Sequence, residues 1–187
     1  MLTNASASLF AALDAFWPTR PGWDVPEANL VAHLHAAARA EGSHAYLEVP
    51  LEVLGQSGRR LDLLVIPTDQ REAVRWVEVK RIWANRQGDD IAADLQRLNE
   101  PSTSLGRALP DRLEGRPVRA LFVALTHQPD VADWWVNATG ELPRPFRDAV
   151  WTDSVASILG NALHRKVFAH HKGRPRPSFV VTAEWAR

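Results

Sequence analysis

Apolar residues recur along this chain with helical spacing in some segments and at every second position in others. The predicted elements are helices over 6–16 and 24–41, strands over 45–53, 59–66 and 73–81, a helix over 89–99, a strand over 118–125, helices over 130–136 and 153–163, and a strand over 179–185. Asp24 and Pro26 are typical of a helix start, and the turn residues 55–58 indicate that the first two strands form a hairpin. This order predicts an α/β fold.

The second strand, 59–66, is apolar on both of its faces. Leu61, Leu63 and Val65 alternate with Leu64 and Ile66, so neither face of the strand reads as solvent-facing. Strands of this kind lie inside a sheet that helices cover on both sides. We therefore expect a central mixed sheet flanked by helices, with Val118–Leu125 as a further interior strand parallel to the third strand.

Composition limits the class of protein. With 187 residues, 45% of them hydrophobic and 24% charged, the chain is expected to form a single domain spanning 1–187. No apolar run is long enough to cross a membrane and the first residues lack the features of a signal peptide, so a cytoplasmic protein without a membrane partner is expected. Because cysteine is absent, a metal would have to bind oxygen or imidazole ligands.

The net charge is zero, but the charges are unevenly distributed. Residues 161–187 carry six Lys or Arg residues, including Lys172, Arg174 and Arg176, against Glu184 alone. Such a basic segment could contact a phosphate backbone. A solvated tail explains the same charges, and both interpretations stay open.

Three residues carry the candidate chemistry. Asp62 lies within the second strand, and Glu78 and Lys80 share one face of the third because they are two positions apart. Lys80 is one of three lysines against nineteen arginines, and lysine supplies a compact point charge that arginine does not. Burying two carboxylates beside one lysine leaves an uncompensated negative charge, which a bound cation would balance. A buried ion pair is the competing, purely structural explanation.

Asp62, the Glu78-Val79-Lys80 tripeptide and the order of the surrounding elements resemble the PD-(D/E)XK nuclease superfamily. The resemblance covers about residues 24–127, and Leu61 stands where the family name has proline. It implies a restriction-endonuclease-like fold with an α-β-β-β-α-β core. Residues 128–187 would then form a helical and basic C-terminal elaboration of that core.

The resemblance also implies roles for individual residues. Asp62, Glu78 and the main-chain carbonyl of Val79 would bind Mg²⁺ or Mn²⁺, and Lys80 would orient or deprotonate the attacking water. Glu27 would be the fourth catalytic residue, taken from the helix before the hairpin. Its distance of three positions from Asp24 also fits a capping box, which would make its role structural.

Three further residues are candidates for accessory roles: Gln96 and Asp94 on the helix after Lys80, and His127 after the strand 118–125. Asp94 shares one side of its helix with Asp90 and Arg97, and a solvated face with local ion pairs accounts for that side equally well. A histidine in a loop without a role is the simpler explanation of His127.

Trp83, Arg81 and Arg86 follow Lys80 closely and could contact nucleic acid through stacking and phosphate binding. The sequence thus predicts a metal-dependent nuclease, with DNA as the expected partner. A catalytically inactive domain of the same fold that binds nucleic acid or protein is the alternative, and a protein-interaction domain without nucleic-acid contact is a third reading. Whether the chain works as a homodimer or with a partner protein stays open.

Overall fold

The computed structural model describes residues 1–16, 25–50, 60–83, 87–99, 113, 115–137, 150–170 and 177–186. Its helices and strands are, in chain order, α1 Leu2–Phe16, α2 Glu27–Ala40, β1 His44–Pro50, β2 Arg60–Ile66, β3 Val74–Ile82, α3 Gly88–Asn99, β4 Val118–Thr126, α4 Pro129–Asn137, a π-helical segment Val150–Val155, α5 Ala156–Gly160, β5 His164–His170 and β6 Ser178–Ala186. No helix of the described part is long and apolar enough to span a membrane.

The strands form one mixed six-stranded sheet in the order β1-β2-β3-β4-β6-β5. β3 and β4 are parallel, while the β1–β2, β2–β3, β4–β6 and β5–β6 pairs are antiparallel. The predicted α/β class with a mixed sheet between helices is confirmed. The parallel pairing predicted for the third and fourth strands is also confirmed, with Lys80 opposite Ala124.

Helices cover both faces of the sheet. On one face, α1 and α2 pack through residues such as Leu9 and Leu34 against alternate residues of β3 and β4, including Val79. On the other face, α3, α4 and the π-helical segment pack against the intervening positions, where Phe122 stacks on Trp135 with ring centroids 5.7 Å apart. Glu78 and Lys80 belong to this second face because they alternate with Val79.

The C-terminal part differs from the expectation of a basic tail. Arg165 and Lys166 lie in β5, an edge strand that the sequence did not predict and that pairs with β6. β6 itself lies between β4 and β5, so the sheet extends beyond residue 127. Lys172, Arg174 and Arg176 fall outside the described residues.

Several predicted helix boundaries were wrong. α2 begins at Glu27 with Pro26 at the N-cap position, rather than at Asp24, which lies outside the described residues. α1 begins at Leu2, four residues before the predicted start. α5 ends at Gly160 instead of 163, and a π-helical turn precedes it.

Candidate functional site

The site lies where β2 and β3 separate. Main-chain pairing of these strands covers Leu63 to Val65 of β2, and it stops before Asp62. Beyond that point the Val79 N–H donates a hydrogen bond of 2.7 Å to Asp62 Oδ2. The Arg81 N–H donates one of 2.9 Å to Glu27 Oε1 on α2. Two carboxylates therefore accept hydrogen bonds from the edge of β3 that no longer pairs with its neighbour.

Glu78 and Lys80 point from β3 toward α3, which meets them with an acid and a base of its own. Lys80 Nζ lies 3.1 Å from Glu78 Oε1 and 3.1 Å from Asp94 Oδ2. Arg97 Nη2 lies 3.0 Å from Glu78 Oε1 and 2.7 Å from Asp94 Oδ1. The four side chains form a network of two carboxylates and two cationic groups.

Burial changes the proton affinity of the acids. Desolvation raises the pKa of Glu78 to about 7, and the Asp62 charge adds to this rise while Lys80 and Arg97 oppose it. Desolvation also raises the pKa of Asp62, against the effects of the Val79 N–H and of Lys80. For Lys80, burial lowers the pKa, but the Glu78 and Asp94 carboxylates outweigh burial and raise it. For both acids, burial thus outweighs the nearby cations and favours the protonated form.

These groups open into a cavity of about 600 Å³ between β2, β3, α2 and α3. Among the described residues, six carboxylates and three cationic side chains line it: Glu27, Glu48, Asp62, Glu78, Asp90 and Asp94, and Arg60, Lys80 and Arg97. The formal charge of these nine side chains is three units negative. A cavity of this charge attracts cations.

The cavity brings together most of the predicted catalytic residues. Asp62, Glu78, Lys80 and Glu27 all line it. The face that Asp62 shares with Leu64 and Ile66 predicts a buried side chain, but Asp62 is half-buried because its strand has separated from β3 there and faces the opening. Glu27 accepts its hydrogen bond from the Arg81 N–H and is the first residue of α2, not the third helical residue that a capping box requires.

Of the three accessory candidates, only Asp94 is among the described residues that line the cavity. Asp94 is buried and joins the network, so the expectation that it is solvated was wrong, whereas Asp90 on the same side of α3 is exposed and the local ion pair of Asp94 with Arg97 is present. Gln96 is exposed and does not line the cavity, because it lies on another side of the helix. His127 faces the start of β6, where its Nδ1 lies 3.2 Å from the Pro177 carbonyl oxygen and 3.2 Å from Ser178 Oγ.

Trp83 follows directly after β3 and keeps 41% of its surface exposed. The Arg81 guanidinium lies 5.7 Å from the centroid of its ring, within the range of a cation–π contact. Gln87 holds the main chain at the end of β3, since its side chain accepts a hydrogen bond from the Trp83 N–H and donates one to the Arg81 carbonyl. Arg86 lies outside the described residues.

Among the described residues, the sequence did not assign five polar residues of this site: Glu48, Arg60, Gln87, Asp90 and Arg97. Glu48 has a φ of 51°, a left-handed conformation that a residue with a side chain adopts at some cost in energy. Its charge raises the pKa of Asp62. The sequence feature that could have indicated Arg97 is its position three residues after Asp94, on the same face of the helix. For Glu48, no local pattern indicated the unusual backbone.

The donor atoms fit a hard divalent cation. Glu78 Oε2 is buried and, within the described part of the chain, has no hydrogen-bond partner, a costly state that a cation would relieve. The Val79 carbonyl points to the same side of β3 as its N–H, toward the gap beside Asp62. Among the described residues, however, no three Asp, Glu or His side chains are already arranged as a metal-ligating group. The network to Lys80 and Arg97 holds Glu78 Oε1 instead.

Comparison of the chain with protein-family models, with curated proteins and with solved structures finds no match. The interpretation of the site therefore depends on its geometry and its charges.

Proposed function

We propose that this chain is a metal-dependent nuclease with a restriction-endonuclease-like fold of the PD-(D/E)XK type, which hydrolyses phosphodiester bonds, with DNA as the expected substrate. The main support is that Asp62, Glu78 and Lys80 line one open, negatively charged cavity at the point where two strands separate. The unpartnered, buried Glu78 Oε2 adds to this support.

Asp62, Glu78 and the Val79 carbonyl would hold Mg²⁺ or Mn²⁺, and Glu27 would add a further acidic group. When bound, such an ion polarises a phosphate oxygen and makes water a better nucleophile. Lys80 would place its positive charge beside the phosphate, because it lines the same cavity as Asp62 and Glu78. Its ammonium group already donates to Glu78 and Asp94. These contacts favour orientation and charge stabilisation by Lys80 over removal of a proton from water.

Cleavage assays test the proposal. Single-stranded, duplex and branched DNA and RNA are incubated with the protein and Mg²⁺ or Mn²⁺, and Asp62→Asn and Lys80→Met are compared with the wild type. We expect each substitution to lower the rate by roughly 100-fold or more, because each removes a group that acts on the transition state. Glu72→Gln is the matched control, since Glu72 is an exposed carboxylate outside the cavity lining.

Cutting that survives both substitutions would assign the activity to another site or to a contaminant. Absence of cutting on every substrate would favour a second function, a domain of the same fold that binds nucleic acid or protein without catalysis. The observation that favours this second function is the internally neutral network of Glu78, Lys80, Asp94 and Arg97, which already satisfies one oxygen of Glu78.

A further inference from the structure

Arg97 stands out because no part of the proposed chemistry requires it, yet it is held tightly in the site. Its side chain is 15% exposed, and one nitrogen, Nη2, contacts both Glu78 Oε1 and Asp94 Oδ1 at 3.0 and 2.7 Å. A guanidinium group stays charged in proteins. The cavity therefore contains a permanent positive charge beside a candidate ligand of the metal.

The charges of the cavity show what this side chain does. With Arg97 the described lining residues have six carboxylates against three cations, and without it six against two. Glu78, whose side chain is 4% exposed, would then keep Lys80 as its one cationic neighbour among the described residues. Removing one partner from a buried charge network leaves the other charges uncompensated.

From these contacts we infer that Arg97 is the resident counter-cation of the site: in the metal-free protein it supplies part of the charge that a divalent ion brings, and it competes with that ion for Glu78. This inference depends on the proposed function, because it takes Glu78 to be a metal ligand. It makes Arg97 a positioning residue that sets the affinity of the site for metal.

Two features explain why Arg97, rather than Lys80, gives way when an ion binds. Arg97 can lose its contact with Glu78 and keep its shorter contact with Asp94, which lies three residues before it on α3. Lys80 lies on the same strand face as Glu78 and contacts Glu78 and Asp94 at equal distances of 3.1 Å. Movement of the Arg97 side chain away from Glu78 would therefore leave Glu78 Oε1 with its contact to Lys80 and would keep the contacts of Lys80 and Arg97 with Asp94.

Isothermal titration calorimetry with Mn²⁺ at low ionic strength tests this inference on the full chain. We expect Arg97→Gln to bind Mn²⁺ roughly tenfold more tightly than the wild type, because a competing positive charge about 3 Å from a ligand atom is gone. Arg97→Lys, which keeps the charge, should stay close to the wild type. Arg75→Gln, which removes a positive charge outside the cavity lining, should change the affinity less than about twofold.

The outcomes separate this inference from the proposed function. Equal or weaker binding by Arg97→Gln, with Mn²⁺ still binding to the wild type, overturns the inference and leaves the metal site intact. Absence of Mn²⁺ binding in every variant overturns both. A wild-type measurement covers the case in which Arg97→Gln does not fold: the NMR signal of the Arg97 side-chain Nε–H, assigned with Arg97→Lys, should move during a Mg²⁺ titration. A signal that stays in place while the site saturates contradicts the inference.

Discussion

Glu27 and Arg81 are 54 residues apart in the chain, and Glu27 Oε1 accepts a 2.9 Å hydrogen bond from the Arg81 main-chain N–H. This bond attaches the first turn of α2 to the end of β3, at the edge that β2 has left. Glu27 therefore has a structural role through this bond and also lines the cavity. Two substitutions are needed to distinguish its structural role from a role in binding metal.

Glu27→Gln should keep the bond, because an amide oxygen also accepts from the Arg81 N–H. We expect its free energy of unfolding in EDTA to stay within about 0.5 kcal/mol of the wild type, and that of Glu27→Ala to fall by about 1–3 kcal/mol. If Glu27 also attracts the cation, both variants should bind Mn²⁺ more weakly. Urea unfolding and calorimetry measure the two effects, and an unchanged Mn²⁺ affinity in both variants would leave Glu27 with the structural role alone.

Asp62 should determine whether divalent ions stabilise the protein. Mn²⁺ at about 100 times its dissociation constant should stabilise the wild type by roughly 2.7 kcal/mol, which raises the thermal midpoint. Asp62→Asn should lose most of this rise while keeping an acceptor for the Val79 N–H. Differential scanning calorimetry with Mn²⁺ and with EDTA measures the effect. An undiminished rise in Asp62→Asn would place the ion elsewhere.

Stability of the metal-free protein should fall as the pH rises from about 5 to 8. The pKa of Glu78 is raised from 4.5 to about 7 in the folded state, so between these values the folded protein binds more protons than the unfolded chain. The loss due to Glu78 should be on the order of 2–3 kcal/mol, and Glu78→Gln should remove this part while leaving that of Asp62, whose pKa burial also raises. Urea unfolding in EDTA at several pH values checks this.

His33 changes the stability with pH in the opposite direction. Burial lowers its pKa, so its contribution to the free energy of unfolding is lost as the pH falls. The comparison of the wild type with Glu78→Gln isolates the carboxylate from this background. Parallel pH profiles for the two proteins would mean that Glu78 is already ionised in the folded state at pH 5.

Arg116 stabilises the turn between β2 and β3 and does not line the cavity. Its guanidinium donates to the main-chain carbonyls of Pro67, Asp69 and Glu72, which closes the turn between β2 and β3. Arg116→Ala should lower the free energy of unfolding by about 1.5–3 kcal/mol, since it removes hydrogen bonds from a charged donor. Mn²⁺ affinity should not change. A marked change in Mn²⁺ affinity would show that the turn controls the separation of β2 from β3.

Trp83 should contribute to binding of single strands. Stacking of a base on its exposed ring is worth about 1–3 kcal/mol, so Trp83→Ala should weaken the binding of single-stranded DNA by roughly 5-fold to 100-fold. Fluorescence anisotropy with a labelled oligonucleotide and Ca²⁺, which allows binding to be followed apart from cleavage, measures this. Tyr46→Ala, an exposed aromatic residue on β1, is the control. Equal affinities of both variants would exclude stacking on Trp83.

The strand residues of the site were predictable because their faces follow from a local rule. A two-residue period fixes that Glu78 and Lys80 share a face, and the apolar run around Asp62 places it on an interior strand. The fold class followed in the same way. The pattern did not show where the pairing of β2 with β3 ends. Beyond that point the main-chain N–H groups of β3 bond to Asp62 and to Glu27 of α2, which are distant from them in the sequence.

The orientation of α3 and the formation of β5 depend on non-local packing. Whether Asp94 and Arg97 face solvent or the cavity is decided by the way in which α3 lies on the sheet, and their spacing is the same in either case. β5 escaped prediction because it is an edge strand with exposed and charged positions, so its sequence resembles a basic loop until its partner β6 is known.

The position of β6 inside the sheet has a consequence for biosynthesis. Before residues 178–186 emerge from the ribosome, β4 has a neighbour on one side, and its run of buried residues from Ala120 to Leu125 borders an open edge. An apolar edge of this kind is a template for aggregation. A chain truncated before β6 should therefore be insoluble, even though every residue of the proposed active site would be present.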